Sequence, residues 1–225
     1  MQIKKILLLP TLGGVLSTLT FGLAACTGGN PAAQQSPNST VTAQSPESMA
    51  GMDHGSMNMD LGPKDQNFDL RFLDAMILHH QGAVVMAQDA LQKSNRPEIK
   101  QLAQEIIAAQ EREIQQMQGW RKAWYPLASS QPMMWHTPMG HMMSMSEEMK
   151  AAMMMNVDLG AADDQYDLRF LNAMIPHHEG ALMMAQDALA KSDRTELKQL
   201  SQAILDSQQA EIDQMKQWRK AWYGQ

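Results

Sequence analysis

Apolar side chains recur every three to four residues along four long segments of this 225-residue chain. In the first segment they fall at Leu73, Met76, Ile77, Val84 and Leu91. This is the spacing of one face of an α-helix. Valine, isoleucine and threonine are too few in these segments to favour strands. The pattern therefore predicts an all-α protein.

The chain also repeats itself. Residues 69–83 return without a gap as residues 167–181, and the likeness continues to the tryptophan pair that ends each copy. Each copy has two helical segments, and the break between them in the first copy contains Ser94, Asn95 and Pro97, which suit the start of a helix. The repeat predicts two helical hairpins that form an antiparallel four-helix bundle.

We divide the chain into five regions. They are a signal peptide at 1–25, a flexible Met- and His-containing tether at 26–62, the first hairpin at 63–125, a Met-rich connector at 126–159 and the second hairpin at 160–225. We expect an irregular, flexible connector that contains one short helix, with Ser146 as its cap. Because two helices leave an apolar stripe uncovered, we expect the two hairpins to share one core.

The first 25 residues have the features of an export signal. Lys4 and Lys5 precede an apolar stretch that ends in small residues at Ala25. Two interpretations of the cleavage site stay open: a plain secretory signal, or a lipobox in which Cys26 becomes the lipidated first residue. We expect a periplasmic protein that touches the membrane only if Cys26 carries a lipid.

Composition adds a chemical prediction. The chain has 22 methionines, seven histidines, one cysteine and a formal net charge of −6. An acidic chain is a poor partner for nucleic acid. Thioether sulfur and imidazole together suit Cu(I) and its analogue Ag(I) better than Mg, Ca or Mn. We therefore expect copper as the ligand, with Cu(I) preferred and Cu(II) as a second state.

Each repeat carries a His-His pair with methionines at helical spacing around it. The first candidate site consists of Met76, His79, His80, Met86 and Met117. The second consists of Met174, His177, His178, Met184 and Met215. A single methionine at such a position is more often core than ligand, so the prediction depends on the histidine pair being present twice. Met183 should point away, and Pro176 is expected to kink its helix and expose the second pair.

Two more clusters lie outside the helical segments. The tether carries Met52, His54, Met57 and Met59, and the connector carries His136, Met139, His141 and Met145. Methionines in a solvated loop have no packing role. We therefore expect flexible, exchangeable copper sites in both segments.

The motif Phe-Leu-x-Ala-Met-Ile-Pro-His-His-x-Gly-Ala lies within residues 170–184, and its second part, with Glu-Ile and a later Met, lies at 208–218. Residues 72–86 and 110–120 repeat it with Leu78 in place of proline. This pattern resembles a bacterial family of ferritin-like helical domains of unknown function. With the tandem arrangement, the export signal and the Met-rich connector, it is similar to the CopM-like periplasmic copper-binding proteins. The resemblance implies copper binding and copper resistance without turnover.

The leading hypothesis is a protein that sequesters or relays copper, with a copper-efflux or copper-sensor protein as a further partner. A ferritin-like metal-dependent oxidase is one alternative, but the Glu-x-x-His motif of di-iron bundles is absent from the sequence. A Met-rich protein-interaction module is another, and it would show no dependence on metal. We expect no enzymatic activity.

Overall fold

The computed structural model describes residues 60–225. The predicted signal peptide, Cys26 and the candidate ligands of the tether lie outside the described residues. The elements in chain order are α1 (Phe68–Lys93), α2 (Pro97–Trp124), β1 (Met133–His136), a 3-10 turn (Thr137–Met139), β2 (His141–Ser144), α3 (Glu147–Met154), α4 (Tyr166–Lys191) and α5 (Thr195–Tyr223). The fold is a helical bundle of two hairpins, α1–α2 and α4–α5. Within residues 60–225 no helix has the length and apolar character needed to span a membrane.

The break inside each hairpin uses a serine in the same way. The Ser94 Oγ accepts a hydrogen bond from the Arg96 N–H at 3.1 Å, and Ser192 makes the equivalent bond to Arg194 at 3.1 Å. The serines thus shape the turn rather than cap the second helix. The residue before α2 and before α5 is an arginine without a capping side-chain bond.

The two hairpins meet mainly through α1 and α4, which run antiparallel. This arrangement creates two apolar clusters, one toward each end of the bundle. The first cluster includes Phe72, Met76 and Met117 from the first repeat and Met184, Leu197 and Ile204 from the second. The second cluster includes Met86, Ile99 and Ile106 from the first repeat and Phe170, Met174 and Met215 from the second. Each cluster therefore depends on both repeats.

Reciprocal contacts join the ends of the bundle. The Arg194 guanidinium lies 4.1 Å from the ring centre of Trp124 and 3.3 Å from an Asp69 carboxylate oxygen. In the other half, Arg96 lies 4.2 Å from the ring centre of Trp222. Each arginine comes from the turn of one repeat and holds the final helix of the other through a cation–π contact.

The connector contains the predicted short helix, α3, with Ser146 as its cap, but its first part differs from the prediction. Instead of an irregular, flexible segment it forms an antiparallel two-stranded hairpin, in which Met134 pairs with Met143 and His136 pairs with His141. Gly140 allows the turn, because its φ of 63° lies in the left-handed region that glycine adopts freely. Large side chains, including methionine and tryptophan, are paired across the strands in place of β-branched residues.

The β-hairpin is bonded to α1 through a buried carboxylate. Asp74 accepts hydrogen bonds from the Met133 N–H at 2.8 Å and from the Arg121 guanidinium. Burial outweighs these bonds and raises the pKa of Asp74 above its ordinary value. In the second repeat the equivalent residue is Asn172, which is exposed and accepts a hydrogen bond from Arg219. The hairpin therefore covers one repeat only.

The segment before α1 is also packed, although residues 60–62 were assigned to the tether. Leu61 is buried, and its carbonyl accepts a 2.5 Å hydrogen bond from the Arg71 Nε–H. Gly62 has a φ of 81°, and a Cβ there would lie 2.4 Å from the Trp135 ring. Residues 61 and 62 are thus packed together with the first repeat, because the β-hairpin contacts this segment through Trp135.

Candidate metal centre

The two histidine pairs meet at the centre of the bundle, where α1 and α4 cross. All four histidines are at most 1% exposed. The rings of His79 and His177, which occupy equivalent positions in the two repeats, are stacked with their centres 3.8 Å apart. The antiparallel crossing of two copies of one helix explains this contact, because equivalent residues meet at the crossing point.

The second histidine of each pair is oriented by a carboxylate. The His80 Nε2–H donates to Glu113 Oε2 at 2.6 Å, and the His178 Nε2–H donates to Glu211 Oε2 at 2.6 Å. The opposite nitrogen, Nδ1, is buried in both rings and has no hydrogen-bond partner within the described part of the chain. A ring whose N–H is held by a carboxylate presents its other lone pair to a metal, as metal-bound histidines commonly do.

The first histidines of the pairs are not equivalent to each other. The His177 Nε2–H donates to the Met154 carbonyl at 3.0 Å, and among residues 60–225 no partner faces its buried Nδ1. His79 instead has a carbonyl at each nitrogen: that of His177 at 2.8 Å and that of Met153 at 3.0 Å. A neutral imidazole can donate only one of these bonds. His79 is therefore the least available of the four as a ligand in this conformation.

Burial also determines the charge of the stacked rings. Desolvation lowers the pKa of His79 from 6.5 to about 4, and it lowers the pKa of His177 well below its ordinary value. A charge on His79 would lower the pKa of His177 further. Both histidines are consequently neutral at pH 7, which is the state that binds a metal.

The structure groups the candidate methionines differently from the sequence. Met76 and Met117 share the first cluster with Met184, whereas Met86 lies in the second cluster with Met174 and Met215. Met86 and Met184, which the sequence groups with the histidine pairs of their own repeats, therefore pack with methionines of the opposite repeat. Met86 lies seven residues beyond the crossing, or about 10 Å along the helix, and so reaches the other end of the bundle. Each group of three methionines thus includes one from the opposite repeat.

The expected opening at Pro176 is absent. α4 continues from Tyr166 to Lys191 through the proline, and both following histidines stay buried. Met183 is 57% exposed, as its position on the helix predicts. The proline therefore does not expose the histidine pair.

The connector histidines form a separate and more accessible pair. His136 and His141 are paired across the strands, with ring centres 5.8 Å apart. His136 Nδ1 is buried and lacks a partner in the described residues, and Met139 is 70% exposed in the adjoining turn. Met145, by contrast, is packed in the first apolar cluster. The four connector candidates are thus not one flexible group.

Sequence reasoning missed the two carboxylates. Glu113 and Glu211 lie 33 residues after His80 and His178. The sequence signal was the recurrence of Glu-Ile at this distance in both repeats, one helical turn before Met117 and Met215. It gave no role for the glutamates, because nothing in the sequence shows that they face a histidine on the other helix.

Within residues 60–225 no group of three His, Cys, Asp or Glu side chains is arranged to hold a metal ion. A site at His80 or His178 therefore needs donors of another kind, and the nearby clusters supply thioethers. An imidazole with thioethers in an apolar interior suits a soft monovalent cation. A hard divalent cation would need oxygen ligands.

Comparisons with known proteins agree with this chemistry. The family model described as "Domain of unknown function (DUF305)" matches residues 22–121 and 69–219. The structure of CopM in the Cu(II)-bound form is 37% identical, with a TM-score of 0.56, and the match covers 69% of this chain and 98% of that one. CopM in the Cu(I)-bound form is 37% identical with a TM-score of 0.55 and coverages of 69% and 97%. A DUF305 protein from Streptomyces coelicolor that is described as secreted is 30% identical with a TM-score of 0.51 and coverages of 65% and 88%. No curated protein matches the sequence significantly.

Proposed function

The chain belongs to the DUF305 family, and from that premise we propose that it binds copper through buried histidine and methionine side chains. The observation that carries this proposal is the repeated His–Glu pair. His80 and His178 each present a buried Nδ1 lone pair while a carboxylate holds the opposite N–H at 2.6 Å. Leaving such a nitrogen unpaired in a dry interior costs free energy unless a ligand occupies it.

We propose Cu(I) as the preferred ion. Met76, a member of the first cluster, lies one helical turn before His80 on α1, and Met174, a member of the second, lies one turn before His178 on α4. Neutral soft donors in an apolar site stabilise a monovalent d10 ion and offer little to Zn(II). CopM, at 37% identity, has structures in the Cu(I)-bound, Cu(II)-bound and silver-bound forms, which supports copper as the class of ligand.

In the cell, this protein is proposed to act in the periplasm, where it sequesters or relays copper and so contributes to copper resistance. The similarity to a secreted DUF305 protein and to CopM suggests an exported protein. The basic start, the apolar stretch and the small residues before Cys26 support export. A lipid at Cys26 and delivery to an efflux or sensor protein complete the proposal.

We further propose that the role is one of binding rather than catalysis. Glu113 and Glu211, which are partly buried, each accept a hydrogen bond from the Nε2–H of a histidine on the neighbouring helix. They orient ligands, whereas di-iron oxidases use inward glutamates as ligands on all four helices. The effect of each carboxylate on the Cu(I) affinity of its histidine can be measured by replacing the glutamate.

The test is anaerobic Cu(I) competition titration of the mature protein and its variants. His80→Ala and His178→Ala should each remove one bound ion, and Glu113→Gln and Glu211→Gln should each weaken Cu(I) binding about 10- to 100-fold. His141→Ala, on the exposed hairpin, is the matched control and should leave both bundle sites intact. Full copper stoichiometry in the His80/His178 double variant, or displacement of Cu(I) by Zn(II), would contradict the proposal.

A further inference from the structure

We propose that α3 and its flanking residues form an entry site, where methionine thioethers receive Cu(I) from solvent and pass it to the buried centre. This inference rests on the proposed function, and it concerns residues that the sequence did not mark as ligands. They are Met149, Met153 and Met155. The observations that carry it are the seating of α3 on the histidine stack and the distribution of methionines between the two clusters.

The end of α3 lies directly on the crossing of α1 and α4. A Cβ at Gly82 would lie 1.7 Å from the Met154 carbonyl oxygen, so α3 approaches α1 as closely as the backbone permits. The Met153 carbonyl is 3.0 Å from His79 Nδ1, and the Met154 carbonyl is 3.0 Å from His177 Nε2. The last turn of α3 therefore covers both stacked rings, and an ion that reaches them from this face has to pass α3.

Methionines continue from this surface into the interior. Four half-buried methionines pack against the first cluster, namely Met134, Met149, Met153 and Met155. Inside the cluster lie four buried methionines, namely Met76, Met117, Met145 and Met184. On the proposed route the ion moves from the half-buried thioethers to these buried ones.

The second cluster has no such border among the described residues. The half-buried side chains packed against it are aliphatic or aromatic, and include Leu91, Ile107, Leu182 and Trp218. If methionine were only a filler of irregular gaps, both clusters would be expected to use it at their borders. Among residues 60–225, half-buried methionines border only the first cluster, which α3 covers, and this difference indicates a route for Cu(I) on that side.

The chemistry requires only ligand exchange. The ion remains Cu(I), each step breaks one Cu–S bond as another forms, and no electron or proton is transferred. Thioethers are neutral and bind weakly one at a time, so an ion held by two of them is released readily to a site with an imidazole. The exposed carboxylates of Glu147 and Glu148, in the first turn of α3, add negative charge at the outer end.

The experiment compares the rate of loading with the amount loaded. Cu(I) is presented as its bicinchoninate complex to the whole mature protein under anaerobic conditions, and its transfer is followed by the loss of the complex's absorbance. In the Met149→Leu/Met153→Leu variant we expect loading to slow by roughly tenfold or more. The copper retained by the bundle sites at equilibrium should be unchanged. Leucine conserves volume and apolarity, so the apo protein should melt as before.

Met183→Leu on the open face of α4 is the control and should load at the wild-type rate. Each single variant, Met149→Leu and Met153→Leu, is measured as well, so that a folding defect in the double variant cannot hide the answer. Equal loading rates in the α3 variants and the control would overturn the entry site while leaving copper binding in place. If the wild-type protein took up no Cu(I), both proposals would fail.

Discussion

The two repeats place the same histidine–glutamate pair in the same geometry, yet they differ in what covers it. Both pairs have a hydrogen bond of 2.6 Å. On the first repeat the connector lies over α1, with its hairpin bonded to Asp74 and α3 seated on Gly82. On α4 the positions equivalent to Asp74 and Gln81 are Asn172 and Glu179, and both are exposed. The comparison teaches that the two repeats share the histidine–glutamate pair but differ in the structure that covers it.

Acid should have the largest effect on stability, because it protonates the stacked rings of His79 and His177 that join the two repeats. The pKa of His79 is lowered from 6.5 to about 4 in the folded protein. The unfolded chain therefore binds more protons between these values, and stability is complete above pH 6.5 and lost as the pH falls toward 4. The loss is on the order of 3 kcal/mol for His79 alone, with a further loss in the same direction from His177.

Chemical denaturation of the apo protein at a series of pH values measures this slope. His79→Gln should flatten it, whereas His141→Gln, which alters an exposed ring of the hairpin, should leave it unchanged. A stability that did not vary between pH 6.5 and 4 would show that the stacked rings are not held neutral by burial.

The seating of α3 gives the next largest effect. Gly82→Ala places a methyl group against the Met154 carbonyl, where a Cβ would lie 1.7 Å away. We expect destabilisation of about 2 to 3 kcal/mol, because the clash is with backbone and one element has to move. Gly119→Ala is the matched control, since no atom lies within 4 Å of a Cβ there, and it should stabilise helix α2 by about 0.5 to 1 kcal/mol. Melting curves that shifted equally for the two variants would rule out close seating of α3.

The smallest effect on stability is expected from exchanging Asp74 on α1 with its equivalent on α4, Asn172. Asp74→Asn copies the second repeat onto the first and weakens the bonds to Arg121 and to the Met133 N–H. It should cost about 1 to 2 kcal/mol, since charge-assisted bonds in a buried place are lost. Asn172→Asp makes the reverse change at an exposed site beside Arg219 and should alter stability by at most about 0.5 kcal/mol. Urea unfolding of both variants tests this, and equal changes would mean that Asp74 does not anchor the hairpin.

Much of the fold followed from the sequence, because its signals were local and repeated. Helical spacing and the gapless repeat predicted the two hairpins, and the serine-containing breaks fixed where each turns. The β-hairpin was missed because its strands contain methionine, tryptophan and histidine, and their pairing depends on Asp74, a residue distant in the chain. A sheet held by tertiary contacts leaves little trace in local propensity.

The candidate site was predicted only in part for a related reason. Spacing along one helix identified the histidine pairs, since neighbours on a helix face are set by the period alone. It did not identify which methionines join them, because Met86 and Met184 depend on how α1 crosses α4. Glu113 was missed for the same reason, as its partner lies on another helix. That the two repeats have the same local structure can be inferred from the sequence, whereas the contacts between helices can be seen only once the helices are packed in three dimensions.

The reciprocal arginine–tryptophan contacts at the two ends show that the two repeats contact each other in the way that two identical subunits of a dimer would. A dimer of identical chains must display every feature twice, because symmetry copies whatever one chain carries. Two repeats within one polypeptide do not have to be covered equally. The connector is present once, so the chain has two equivalent histidine–glutamate pairs but only one face that carries the β-hairpin and α3. The asymmetry of the protein therefore comes from the linker between the repeats, which is itself folded.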